Sequence, residues 1–229
     1  MQEITTKTLE YTDVIVEKPW GYEYLMIQSS TIGIWALHIN EGSQTSLHCH
    51  PRKKTGLILV HGEAQIGFLN NSTMLRAVNK LMIRPGLFHS TKAMSPGGID
   101  LIEVETPPDK VNLVRLDDAY GRVEQPYEGP ESQKPLSDDC IHLDIPTICD
   151  RNEYTMKSAS LIVERVDVLT PLKLYKPDDL ILVIEGGIFS RDGEPVLSEG
   201  DVVTRSTIDR LADTFPLSEE MVYMVVREK

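Results

Sequence analysis

Short apolar runs alternate with turn-forming residues along the whole chain, and no long stretch holds a helical period. Runs rich in Val, Ile, Leu, Thr and Tyr, broken by Gly, Pro, Asn and Asp, are the signature of strands. The pattern predicts strands over Tyr22–Gln28, Ile32–Ile39, Gly56–Val60, Ala64–Leu69, Lys80–Ile83 and Ile99–Glu105. It predicts a second series over Ser160–Val168, Leu172–Tyr175, Leu180–Ile184, Val196–Leu197, Val202–Thr204 and Met221–Arg227. Only Ser206–Asp213 reads as a short helix. Between the two series, Pro126, Pro130, Pro135 and Pro146 sit among Glu, Asp, Ser and Gly, the composition of a linker or wrapping segment.

The two series look related. Leu57-Ile58-Leu59-Val60 recurs as Leu180-Ile181-Leu182-Val183, an offset of 123 residues, and each run is soon followed by glycine. Lys80-Leu81-Met82-Ile83-Arg84 has a counterpart in Asp201-Val202-Val203-Thr204-Arg205, an offset of 121 residues. A repeat of this length points to a duplicated β-domain. The expected organisation is a metal-binding domain over 1–122, a Pro-rich linker over 123–145 and a second, degenerate domain over 146–229.

Composition narrows the class of function. Of 229 residues, 41% are hydrophobic, enough for a packed core. The net charge of −12 argues against nucleic acid as a partner, because phosphate neutralisation requires a cationic face. No apolar run reaches the length of a membrane span, so no membrane partner is expected. Cys49, Cys140 and Cys149 leave an odd thiol, and the opening residues are polar, without the apolar stretch of a secretory signal. Reduced thiols in a cytoplasmic protein are the expectation.

The histidines carry the chemistry. His48 and His50 flank Cys49, and residues two apart on a strand share a face. Both imidazoles can therefore converge on one ion while Cys49 packs into the wall. His89 follows Pro85-Gly86 about 40 residues on and supplies a third ligand. Imidazole suits Zn, Mn, Ni or Fe, so a divalent metal ion is expected without its identity. Glu103 shares a strand face with Ile99 and Leu101 and is a candidate acid or base. Arg52, Lys53 and Lys54 form a cationic run after the histidine pair, suited to a phosphate or sugar carboxylate, and Lys18 and Arg84 extend it. His61, on the strand face of Thr55, and His38, on an early strand, read as interior or structural, and His142 as a surface residue. Trp20 and Trp35 read first as core aromatics, and second as platforms for a sugar ring.

Gly42, His48, Cys49, His50, Thr55 and Gly62 carry the spacing of the first cupin motif, with Thr55 where that family usually has a metal-binding Glu. Asn79, Pro85, Gly86 and His89 resemble the second motif. Lys18-Pro19-Trp20-Gly21-Tyr22-Glu23, together with Val114 to Arg122, is similar to the corresponding segments of type II mannose-6-phosphate isomerases and related sugar-phosphate cupins. The resemblance implies an all-β fold of two tandem jelly-roll barrels, a bicupin. At the repeat offsets, His48, His50 and His89 fall on Pro171, Lys173 and Arg210, so the second barrel is expected to lack the metal.

The implied activity is metal-dependent aldose–ketose isomerisation of a sugar or sugar phosphate. Glu103 would be the catalytic group, and Arg52, Lys53, Lys54 and Lys18 would hold the substrate. A three-histidine non-haem iron dioxygenase and a non-catalytic carbohydrate-binding cupin are the alternatives. A homodimer is a further expectation.

Overall fold

The computed structural model describes residues 11–229, and the chain over that span is all-β. The strands are β1 (Val14–Lys18), β2 (Gly21–Gln28), β3 (Gly33–Ile39), β4 (Leu47–Cys49), β5 (Lys54–His61), β6 (Glu63–Phe68), β7 (Ser72–Arg76), β8 (Asn79–Ile83), β9 (His89–Ala93), β10 (Ile99–Thr106), β11 (Val114–Asp117) and β12 (Gln133–Pro135). The series continues with β13 (Arg151–Met156), β14 (Ala159–Val166), β15 (Leu180–Glu185), β16 (Ile188–Phe189), β17 (Pro195–Leu197), β18 (Val202–Thr204) and β19 (Met221–Glu228). One α-helix, α1 (Arg205–Ala212), falls where the helical pattern predicts it.

The first half forms two antiparallel sheets. One has the order β12-β1-β2-β3-β10-β5-β8 and the other β11-β4-β9-β6-β7. The eight strands β3 to β10 thus alternate between sheets as 3-10-5-8 and 4-9-6-7, which is the strand order of a jelly roll. In the second half, β14-β19-β15-β18 repeats the first of these sheets, with β13 added at the edge. The facing sheet is reduced to the hairpin β16–β17 and an isolated bridge between Ile188 and Leu217.

Side-chain parity explains why the central strands read as continuous apolar runs. Leu57 and Leu59 point into the first barrel, with Trp35, Leu37 and Leu101. Ile58 and Val60 point out, and meet Leu180, Leu182, Met224 and Val226 of the second half in one shared core. The first sheet is therefore covered on both faces, so its strands carry apolar side chains at successive positions rather than at alternate ones. Gly56 lies under Met82 and Val202 where the halves meet, with little room for a side chain.

Two sequence expectations change. Leu172–Tyr175 is not a strand: Thr170–Leu174 is a 3₁₀ helix, entered through Pro171 and burying Leu172. The repeat is also out of register by one residue. Leu57 faces the interior of its barrel, whereas Leu180 faces the shared core, so the interior counterpart of Leu57 is Ile181. The offset becomes 124, which brings Gly62 onto Gly186. Both glycines close equivalent turns at positive φ, +85° and +72°. A Cβ on Gly186 would lie 2.4 Å from the Glu220 carbonyl oxygen, so the position excludes other residues. Pairings carry the correction across the sheet: Leu57 opposes Leu81 and Glu103, and Ile181 opposes Val203 and Val225.

The Pro-rich stretch wraps the first barrel. β12 pairs with β1, the Tyr127 ring lies against Tyr11 and beneath Lys18, and the Leu143 amide donates to the Met26 carbonyl.

Candidate metal centre

β4 and β9 are neighbours, and their single pairing opposes His48 to His89. His50, just past the end of β4, completes the group. One ring nitrogen from each histidine lies within 4.8 Å of the other two. His50 and His89 are buried and His48 is partly buried. Cys49 points into the wall as parity requires, its free thiol buried and its acidity lowered by that burial.

Each ring is fixed by a backbone carbonyl that can only accept. His48 Nδ1 donates to Ser46 O at 2.8 Å, His50 Nδ1 to Asn112 O at 2.7 Å and His89 Nδ1 to Leu87 O at 3.0 Å. The proton therefore sits on Nδ1, and Nε2 carries the lone pair. His50 Nε2 is buried without a hydrogen-bond partner. Burial drives all three imidazoles toward the neutral form. His48 falls well below its usual range, with His89 and His50 adding to the effect. His50 falls to about 3, with Lys53 adding, and His89 to about 4. Three neutral imidazoles held from behind by carbonyls, one with an orphaned lone pair, are the donor set of a transition-metal or zinc site. The residues present fit a divalent ion. Thr55 adds no carboxylate; its hydroxyl is buried, without a partner, opposite Ile83 and Glu105.

A cavity of about 60 Å³ opens beside the histidines, and His48, His50, Glu103, Lys53, Lys110 and Arg115 are among its lining residues. Glu103 projects into it from β10, opposite Trp35 on one side and Leu57 on the other. Burial pushes its carboxyl up to about 7, against the pull of Lys110. Glu105, two residues on, goes the other way. Burial raises it, but Lys110 and Lys53, each at 2.8 Å, outweigh that and hold it below the usual carboxylate range. Lys110 also lies 3.4 Å from Glu23, 3.6 Å from Glu103 and 3.9 Å from the Trp35 ring centre. Burial alone would discharge this ammonium; the three carboxylates reverse that and raise it above the ordinary lysine range.

The cationic run does not act as a cluster. Arg52 points to solvent, 73% exposed, and pairs with Asp109. Lys53 turns inward, 1% exposed, onto Glu105. Lys54 reaches the second half and pairs with Asp201 at 2.6 Å. The bend that leads into β5 turns three residues that are adjacent in the chain to three different surroundings. Lys18 is buried between Glu23 and Glu128, and Arg84 is exposed. His38 bonds Asp100 away from the centre, and His61 and His142 are exposed. Trp20 lines the cavity. Sequence reasoning passed over Lys110, Arg115, Glu105 and Glu23. The two glutamates share the inward parity of Glu103 and Leu25, a signal present in the strands; Lys110 and Arg115 belong to no regular pattern.

No family model matches the chain, and no curated protein matches it. Solved structures with similar folds include KdgF from a Halomonas species, at 14% identity over 40% of this chain and 84% of that one, TM-score 0.38. An uncharacterised double-stranded β-helix protein from Klebsiella pneumoniae is 16% identical over 44% and 89%, TM-score 0.41. An RmlC-like cupin from Shewanella frigidimarina is 18% identical over 46% and 89%, TM-score 0.38. The fold assignment rests on strand order and register rather than on these distant likenesses. Among the described residues, no helix is long and apolar enough to cross a membrane.

Proposed function

We propose that the chain is a metal-binding cupin that isomerises an open-chain sugar or sugar phosphate, moving a proton between C1 and C2. One observation carries this reading: a buried carboxyl, Glu103, whose acidity lies near neutrality, lines the same cavity as His48 and His50. A divalent ion held by His48, His50 and His89 would supply Lewis-acid polarisation of the carbonyl and adjacent hydroxyl. Glu103 as carboxylate removes the proton from C2 and, as carboxylic acid, returns it to C1, while the hydroxyl proton passes from O2 to O1. A carboxyl half ionised near pH 7 suits both steps. Lys110 keeps the charged form of Glu103 accessible despite its burial, and Trp20 and Tyr127 line the cavity.

The test is solvent exchange. Protein loaded in turn with Zn, Mn, Ni and Fe is incubated in D₂O with aldoses, ketoses and their phosphates. Deuterium should appear at C1 or C2 by NMR, and Glu103→Gln should abolish it. A loaded protein that binds metal at its three histidines and exchanges no substrate proton overturns the isomerase reading. Thr55 favours a second reading, since a three-histidine set without carboxylate also suits an iron dioxygenase. Oxygen uptake by the iron-loaded protein separates the two.

A further inference from the structure

The cavity is lined by charges of both signs in a chain that is strongly acidic. Four cations line it, Lys53, Lys110, Arg115 and Arg122, against three carboxylates, Glu23, Glu103 and Glu105. An ion on the histidines adds two further charges. A lining of mixed sign takes an anion where a cation is left without a close carboxylate of its own.

The cations are not equivalent. Lys53 and Lys110 each lie 2.8 Å from Glu105. Arg122 clamps Asp118 and Glu128, each at 2.7 Å. Arg115 is the exception. It stands on β11 opposite His48, and its side chain is 5% exposed. Its nearest carboxylate oxygen, on Glu128, is 3.8 Å away and is already bonded to Arg122. Nη1 donates to the carbonyls of Gln125 at 2.6 Å and Pro126 at 3.2 Å. Nε is buried with no partner. Nε–H is therefore uncommitted, and Nη2 is held only by the 3.8 Å contact with Glu128; the two form the fork that grips two oxygens of one carboxylate or phosphate.

We infer that Arg115 is the anion-docking residue of this cavity, and that the substrate carries a carboxylate or phosphate which seats side-on against Nε and Nη2 beside His48. The inference rests on the cavity proposed above as the substrate site and replaces the Arg52–Lys54 run as its anion anchor. The carbonyls of Gln125 and Pro126 fix the guanidinium plane in advance, so little ordering is needed on binding. The orphaned donor explains the need for a ligand: a buried N–H without an acceptor is costly, and an anion satisfies it.

The test uses metal-free protein, so that it does not depend on catalysis. Inorganic phosphate, a hexose 6-phosphate and a hexuronate are titrated by calorimetry. At least one should bind. Arg115→Lys, which keeps the charge and loses the fork, should weaken it about tenfold, and Arg115→Gln should weaken it further. A stronger response to the hexose phosphate or to the hexuronate identifies the anion. Because Arg115 also braces the segment at 125–126, the wild-type protein provides a second readout. The ¹⁵N resonance of Arg115 Nε, assigned by its loss in Arg115→Lys, should shift on saturation. No binding of any probe, or binding that leaves both the Nε resonance and the variant affinities unchanged, overturns the inference. Metal content, measured alongside, reports separately on the histidine site.

Discussion

The two halves share a sheet and differ in what they enclose. In the first, the rung Trp35–Glu103–Leu57–Leu81 crosses the barrel interior. The rung in the same register of the second half is Ile162–Val225–Ile181–Val203, apolar throughout. The facing sheet diverges further. Its two strands that bring histidines together, β4 and β9, are replaced in the second half by the 3₁₀ helix at Thr170–Leu174 and by α1. The sheet that builds the shared core is kept, while the sheet that brings the three histidines together is reduced to a hairpin. A jelly roll thus supports both a polar, charged interior and a packed one, and the choice lies in a few inward positions.

The largest break in this comparison is removal of the metal ligands. The double substitution His48→Ala/His50→Ala should reduce bound metal from one per chain to none by elemental analysis, because the second half offers no alternative cluster among the described residues. Glu103→Gln comes next. Loss of a general base costs roughly 10²–10⁴-fold in rate, and the wild-type rate should climb as pH rises through about 7, where Glu103 ionises. Stability moves the opposite way. The folded protein holds the Glu103 proton more tightly than the unfolded chain, whose carboxyl titrates near 4.5. Its contribution is therefore present at low pH and lost as pH rises toward and past about 7. Glu103→Gln cannot ionise, so its melting temperature relative to wild type should rise between pH 5 and pH 8.5, by thermal scans. A flat difference across that range would remove the case for a perturbed carboxyl.

Most of the sheet was legible in the sequence, because apolar runs such as Leu57–Val60 and Leu180–Ile184 are set by burial on both faces. The same property hid the register. Where both faces are apolar, composition does not distinguish inward from outward, and the repeat slipped by one residue. The histidine pair was legible because two ligands two apart on a strand need no tertiary information to share a face. The cavity charges were less so. Alternation placed Glu103, but Arg52, Lys53 and Lys54, which proximity in the chain had grouped, lie at the bend into β5 and turn to different surroundings. Lys110 and Arg115 reach the cavity through a loop and the short strand β11, where no period marks a direction. The edge strands β7 and β12 carry too few buried positions to show one either.

The register correction itself is open to a direct test. Val225 is the counterpart of Glu103 and is fully buried in a cluster of apolar residues. Val225→Glu should destabilise the protein by about 4 kcal/mol or more, since an unpaired carboxyl in a dry interior has neither solvent nor a cation. Measured by urea denaturation, a cost below that of an ordinary surface substitution would mean that Val225 does not face the second core.

The smallest effect is expected at the junction of the halves. Lys54 and Asp201 meet at 2.6 Å, and both side chains are nearly a third exposed. Solvent screening and the entropy of two long side chains leave such a pair about 0.5 kcal/mol. Lys54→Ala should therefore lower the melting temperature by only about 1–2 °C at low ionic strength, and by less in high salt. Leu182, fully buried in the shared core, provides the contrast: Leu182→Ala should cost about 2–5 kcal/mol. If the salt bridge proved the larger of the two, charge rather than apolar burial would hold the halves together. The covering of the first sheet on both faces would then no longer explain why its strands are apolar at successive positions.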